Sequence, residues 1–248
     1  MPRLHDVGAA LLASVQGIVF DKDGTLADLE RRWVPFFRGI ISWVAQSGGD
    51  PEAGETLAAV LGVGASGLVP GSPAAVKSDG ELLSIAVAHL TERGWEADKA
   101  VAAIVAGVES TSFGPLVPLG DVAGSMATLG RGYHLGVATS DRRVNTLDEL
   151  TELGIADLIS ALHCGDDGQG VKPEPTVLWR IADGWKLDPA RVLFVGDSSQ
   201  DLDTARAAGC PFVAVDPNPT AFRSRAAESA DAWVASIDEL VATRPRSV

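Results

Sequence analysis

Short apolar runs recur along this 248-residue chain, and each gives way to polar or glycine-rich sequence. Gly17-Ile18-Val19-Phe20, Tyr133 to Ala138, Ala161 to Cys164, Val192 to Val195 and Phe212 to Val215 are such runs, with Trp233-Val234-Ala235 as a candidate edge. Stretches of helical periodicity separate them. Apolar strands alternating with helices form a parallel sheet covered on both faces, because a parallel connection needs a crossover and the crossover helices bury the sheet. The expected fold is therefore α/β, with a parallel sheet core and helices on both faces. In open sheets of this kind ligands bind beyond the carboxyl ends of the strands. The residues that follow each run are thus the candidate site.

One long interval breaks the alternation. No strand pattern occurs between residues 30 and 112. Trp33, Phe36, Phe37, Ile40, Ile41 and Val44 repeat at helical spacing and predict an amphipathic helix over 32–46, with Pro35 required in its first turn. Further helices are expected at 52–61, 75–93 and 98–110, and the Gly/Ser/Pro-rich stretch 62–73 reads as a mobile loop. The interval is an all-helical insertion, and the chain is long enough for a core domain that carries one.

The first run ends in Asp21-Lys22-Asp23-Gly24-Thr25-Leu26. Strand alternation aims Asp21 and Asp23 at one volume and Lys22 away from it, where it has no assigned role. Two carboxylates brought together repel, so the site needs a cation or a shared proton. These residue types suit an aspartate nucleophile, a second aspartate as general acid/base and a divalent metal; they also suit a plain strand-ending turn. Later run ends add Thr139-Ser140, Lys172 and the pair Asp197 and Asp201. With a formal net charge of −13 the chain opposes binding to nucleic acid or anionic membrane. An anionic substrate must then be met by local cations, a metal or backbone amides. Cys164 and Cys210 are too few for a disulfide framework and lack metal-ligand spacing. No signal-peptide pattern or membrane-length apolar run occurs, which gives a cytoplasmic expectation.

Four motifs in order now carry a resemblance. Asp21-Lys22-Asp23-Gly24-Thr25-Leu26, Val137-Ala138-Thr139-Ser140, Gly170-Val171-Lys172-Pro173-Glu174-Pro175 and Gly196-Asp197-Ser198-Ser199-Gln200-Asp201 resemble the four motifs of the haloacid dehalogenase superfamily. The helical insertion between the first two is similar to that family's cap domain of the first type, as in the phosphoglycolate-phosphatase-like branch. The resemblance implies a Rossmann-like catalytic core over 1–28 and 114–248 and a helical cap over 29–113. It implies an Mg²⁺-dependent phosphatase acting on a small phosphate monoester, phosphoglycolate-like or a sugar phosphate, through an aspartyl phosphate. Asp21 is then the nucleophile and Asp23 the general acid/base. Asp21, Asp197 and the backbone carbonyl of Asp23 hold Mg²⁺, and Asp201 orients that shell or Lys172. Thr139, with amides near Ser140, binds phosphoryl oxygens, and Lys172 neutralises their charge. Dehalogenases of the superfamily lack the second acid, so Asp23 favours phosphoryl chemistry over carbon–halogen cleavage. A phosphomutase and a non-catalytic binding protein on the same fold are the alternatives. Outside the motifs His134, His163 and Cys164 read as packing residues, and the Trp33-Phe36-Phe37 stripe as helix core. The cap loop at 62–73 and the 32–46 helix are expected to act as a lid.

Overall fold

The computed structural model describes residues 4–48, 50, 52–217 and 228–243; the tail at 244–248, expected to fray, lies outside them. The chain divides into two compact units, Met1–Asp28 with Pro118–Val248, and Leu29–Val117.

The first unit is built on six strands: β1 (Gly17–Phe20), β2 (His134–Ala138), β3 (Ala161–His163), β4 (Val192–Gly196), β5 (Phe212–Val215) and β6 (Ala232–Val234). All pairings are parallel, in the order β3-β2-β1-β4-β5-β6. Helix α1 (Leu4–Ser14) precedes the sheet. Beyond the insertion follow α7 (Val122–Leu129), α8 (Arg143–Glu152), α9 (Thr176–Trp185), α10 (Ser199–Ala208) and α11 (Asp238–Thr243). Successive strand residues feed two cores. Ile18, Phe20, Leu193, Val195, Val213 and Val215 join α1, α7 and α11 on one face. Val19, Val192, Phe194, Phe212 and Ala214 meet α9 and α10 on the other. The strands look continuously apolar in sequence because each side chain has a core to enter.

Helix α9 carries Gly184 within its last turn, and its left-handed cap residue is Lys186 at φ 57°. In α8 the inward face is Thr146, Glu149 and Leu150, while Val144 and Leu147 are exposed. A buried glutamate thus sits on the inward face of this helix. His134, at the start of β2, is exposed and stacks on Trp185 with ring centroids 5.6 Å apart.

The second unit holds α2 (Leu29–Ser47), α3 (Ala53–Leu61), the short α4 (Pro73–Val76), α5 (Asp79–Glu92) and α6 (Ala97–Glu109). Its core gathers Trp33, Phe36, Phe37, Ile40 and Val44 with Leu57, Leu90 and Ile104. Helix α2 starts three residues before the expected point, so Pro35 lies in its second turn. Proline cannot donate to the carbonyl four residues back, and the chain at Gly114 comes in against this stretch. Gly114 donates its N–H to the Arg32 carbonyl at 2.9 Å, and the Arg32 guanidinium returns to the Gly114 carbonyl at 2.8 Å. A Cβ at 114 would stand 2.0 Å from the Arg31 carbonyl oxygen, so only glycine approaches this closely. Residues 114–117, read from sequence as core, consequently cluster with the inserted unit. The 62–73 stretch is a loop, but a tethered one. Val63 and Leu68 are buried and bridge each other, Glu30 accepts the Leu68 N–H at 3.1 Å, and Arg38 donates to the Gly64 and Ala65 carbonyls. Among the described residues no helix is long and apolar enough to cross a membrane.

Candidate active site

The chain winds outward from β1 through β2 to β3, then returns to β4 on the other side of β1. That reversal opens a crevice at the carboxyl ends of neighbouring strands, the usual ligand position in doubly wound sheets. Phe20 at the end of β1 pairs with Val137 on one side and Val195 on the other. Asp21 therefore stands level with Ala138 and Gly196, and Thr139 and Asp197 follow one residue further on the flanking strands. The Asp21 N–H continues the ladder to the Val195 carbonyl at 2.8 Å, which fixes the backbone beneath its carboxylate.

Carboxylate oxygens of Asp21, Asp197 and Asp201 all lie within 4.8 Å of one another. Asp21 is 5% exposed and Asp201 is fully buried. Lys172, 6% exposed, reaches in from the loop after β3 and donates to Asp21 Oδ1 and Asp201 Oδ1, each at 2.7 Å. The Gln200 side chain holds the backbone carbonyl of Lys172. Asp201 also caps α10, its Oδ2 accepting from the Ser198 N–H at 3.0 Å and the Ser198 hydroxyl at 2.6 Å. Both Asp201 oxygens are thus engaged by protein donors, which suits an orienting residue better than a metal ligand.

One lysine does not balance three acids. Burial pushes the Asp21 carboxyl up to about 7; Lys172 opposes that shift, while Asp201 and Asp23 add to it. Asp197 is raised well above the ordinary carboxylate range by burial, then by Asp21 and Asp201. Burial works against charge on Lys172, but Asp201 and Asp21 outweigh it and keep the ammonium protonated. An excess of buried anionic oxygen, hard in character, is the donor set that a Mg²⁺ ion fits. Gly24 brings the loop after β1 against this set. Its φ is +84°, and a Cβ there would fall 2.2 Å from Asp197 Oδ2.

Thr139 is buried, and its hydroxyl oxygen accepts the Asp141 N–H at 3.1 Å, which orients the O–H as a donor. Ser140 follows it at the same strand end, where the absence of a side chain on Gly165 lets the next loop close over the Ser140 carbonyl. The sequence-predicted residues Asp21, Thr139, Ser140, Lys172, Asp197 and Asp201 therefore all occupy the carboxyl edge of the central strands. Asp23 is half-buried in the loop after β1, and its carboxylate does not join the three-acid cluster.

Lys22 departs from expectation. It is 0% exposed, and its ammonium meets Asp23 Oδ2 at 2.7 Å, Asp141 Oδ2 at 3.1 Å and Glu149 Oε2. Alternation holds only while the chain remains a strand, and β1 ends at Phe20. Thereafter the backbone turns, with the Lys22 carbonyl accepting from the N–H groups of Leu26 at 2.8 Å and Ala27 at 3.0 Å. That turn brings Lys22 and Asp23 to the same side. Asp141, Glu149 and Gln200 also belong to this edge; Gln200 lies inside the fourth motif without an assigned role, and nothing local in the sequence marks Asp141 or Glu149.

The comparisons bear on this geometry directly. The family model described as haloacid dehalogenase-like hydrolase matches residues 95–215. A phosphoglycolate phosphatase of Yersinia pseudotuberculosis is 30% identical over 210 residues, covering 81% of this chain and 80% of the relative. The chain belongs to the haloacid dehalogenase-like hydrolases. Among solved structures, a predicted phosphoglycolate phosphatase from Haemophilus somnus aligns with a TM-score of 0.67 at 20% identity, over 92% of this chain and 97% of that one. A 2-haloacid dehalogenase from Pseudomonas syringae aligns with a TM-score of 0.59, also at 20% identity, over 92% and 97% of the two chains. At 20% identity both structures show that this chain shares their fold, and the chemistry has to be argued from its own side chains.

Proposed function

We propose that this hydrolase is a phosphatase that releases inorganic phosphate from a small soluble phosphate monoester by way of an aspartyl phosphate on Asp21. The observation that carries the reading is the buried Asp21–Lys172–Asp201 array beside Asp197, with Asp23 two residues from the nucleophile. Asp21 and Asp197, with the Asp23 carbonyl, would hold Mg²⁺, which when bound would supply charge neutralisation at the phosphoryl oxygens. The chain's own residues do the rest. Asp21 attacks phosphorus; as the bond from its carboxylate oxygen to phosphorus forms, the bond to the alcohol oxygen breaks. Asp23 gives its proton to that departing oxygen, then takes one from the water that hydrolyses the aspartyl phosphate. Lys172 and the Thr139 hydroxyl, aided by backbone amides at Ser140, hold the phosphoryl oxygens. The substrate is a phosphorylated metabolite, of which phosphoglycolate is the first candidate because the 30%-identical relative bears that name. Two buried free thiols, Cys164 and Cys210, fit the reducing cytoplasm as its location.

The test is Mg²⁺-dependent release of phosphate from phosphoglycolate and from an aryl phosphate. Asp21→Asn is expected to lower turnover by on the order of 10³-fold or more while the protein stays folded. Unchanged turnover in that variant refutes the covalent mechanism, and an isomerised sugar phosphate in place of free phosphate would assign a phosphomutase.

A further inference from the structure

Lys22 is a fully buried cation surrounded by three carboxylates. Two of them are anchored elsewhere. Glu149 projects from the inward face of α8 and is 1% exposed. Asp141 is held by its Oδ1, which accepts from the Arg142 N–H at 2.7 Å and the Asn145 side chain at 3.1 Å, while its Oδ2 turns to Lys22. The third is Asp23, which the phosphatase reading makes the general acid/base. Burial opposes charge on Lys22, but Asp23, Asp141 and Glu149 outweigh it, so the ammonium stays protonated.

We propose that Lys22 is a positioning residue for proton transfer: pinned by Asp141 and Glu149, it clamps Asp23 Oδ2 and leaves Oδ1 as the oxygen that delivers the proton to the leaving group. The inference rests on the phosphatase reading of Asp23. Its physical basis is geometric. A half-buried aspartate at a loop tip has two χ angles to lose, whereas a charge-assisted bond of 2.7 Å to a fixed ammonium holds one rotamer before substrate arrives. Proton delivery matters in proportion to the basicity of the leaving oxygen. A p-nitrophenolate departs without help, and an alkoxide does not.

The experiment compares kcat/KM of Lys22→Met for an alkyl phosphate and for p-nitrophenyl phosphate, with Mg²⁺ present. This ratio reads the transfer onto Asp21, since the subsequent hydrolysis is common to both substrates. Misplacing Asp23 is expected to lower the alkyl ester's value by on the order of 10²-fold and the aryl ester's by no more than about 3-fold. A purely structural role for Lys22 would lower both alike, and equal losses overturn the proposal. If Lys22→Met does not fold, Lys22→Met/Glu149→Leu replaces the buried ion pair with two apolar side chains of similar size, a change often tolerated. That double variant is expected to show the same leaving-group split, and alkyl ester turnover at the wild-type level in it overturns the clamp. Wild-type protein inert toward both esters would overturn the phosphatase reading and this inference together; an active wild type with an unsplit variant overturns the inference alone.

Discussion

Replacing Lys172 with Met removes one ammonium and little else, because Met keeps the length and apolar packing of the stem. In the native protein that ammonium sits 2.7 Å from both Asp21 Oδ1 and Asp201 Oδ1, with its side chain 5% exposed. Without it, three acids whose oxygens lie within 4.8 Å of each other have lost their shared protein cation. Removing one partner of a buried ion pair typically destabilises by about 3–5 kcal/mol. For a chain of this size each kcal/mol moves the melting temperature by about 2–4 °C, so the expected fall is roughly 6–20 °C in EDTA. The melts belong at pH 8, above the value of about 7 to which burial raises Asp21 in the native cluster. Mg²⁺ should restore more stability to the variant than it adds to wild type, since the ion then supplies the missing charge. Saturation at about 100 times the dissociation constant is worth about 2.7 kcal/mol to any native-state binder. Thermal melts followed by circular dichroism, with EDTA or with Mg²⁺, measure both effects. A variant that melts within about 2 °C of wild type in EDTA, less than 1 kcal/mol on this scale, would refute the electrostatic account of the cluster.

Two further perturbations separate geometry from strain and fix a pH dependence. Gly24→Ala and Gly209→Ala both place a side chain at a left-handed φ, +84° and +79°, and each should destabilise by about 1–2 kcal/mol. Only at position 24 does the new Cβ meet Asp197, at 2.2 Å, while position 209 has open space. Phosphate release should therefore collapse in Gly24→Ala and persist in Gly209→Ala; equal activities would remove Asp197 from the site. His163 is buried and hydrogen-bonded through Nε2 to the Gly170 carbonyl at 2.9 Å, and its burial lowers its pKa below the ordinary 6.5. Its folded-state pKa is depressed, so the stability it contributes is complete above about 6.5 and is lost as pH falls, when the unfolded chain takes up a proton that the fold excludes. His163→Gln keeps an N–H for Gly170 without titrating, and urea midpoints at pH 7.5 and 5.5 should differ less in that variant than in wild type.

The sheet and the acids at its edge are legible in the sequence because each depends on local rules. Val192 to Val195 is apolar at every position, and Asp197 follows where the strand ends, so the strand and its site residue read together. The same rules fail where the chain leaves regular structure. Alternation sends Lys22 to the far side, but alternation stops at Phe20, and the turn closed by Leu26 and Ala27 swings the side chain back beside Asp23. Glu149 is invisible for a different reason. A buried glutamate is stable only against a cation 127 residues away in sequence, and no window of α8 contains that information. For α2 the apolar periodicity begins at Trp33, four residues after the helix does, which puts Pro35 one turn deeper than its pattern suggests. The Gly114 backbone packed beside it comes from a segment whose proline- and glycine-rich composition resembles a re-entry into the core.

The inserted unit leaves the core after Asp28 and the chain re-enters it at Pro118. At that junction Ala27 bridges Pro118 in antiparallel fashion, and the Leu119 N–H meets the Leu26 carbonyl at 2.9 Å. Exit and entry are stitched together within the core itself, like the two ends of a hairpin whose loop has grown to 89 residues. Nothing in the sheet's register depends on what lies beyond the stitch. Such a chain can exchange its insertion wholesale, as a tool changes heads on a fixed handle, while Asp21, Lys172 and Asp197 keep their places.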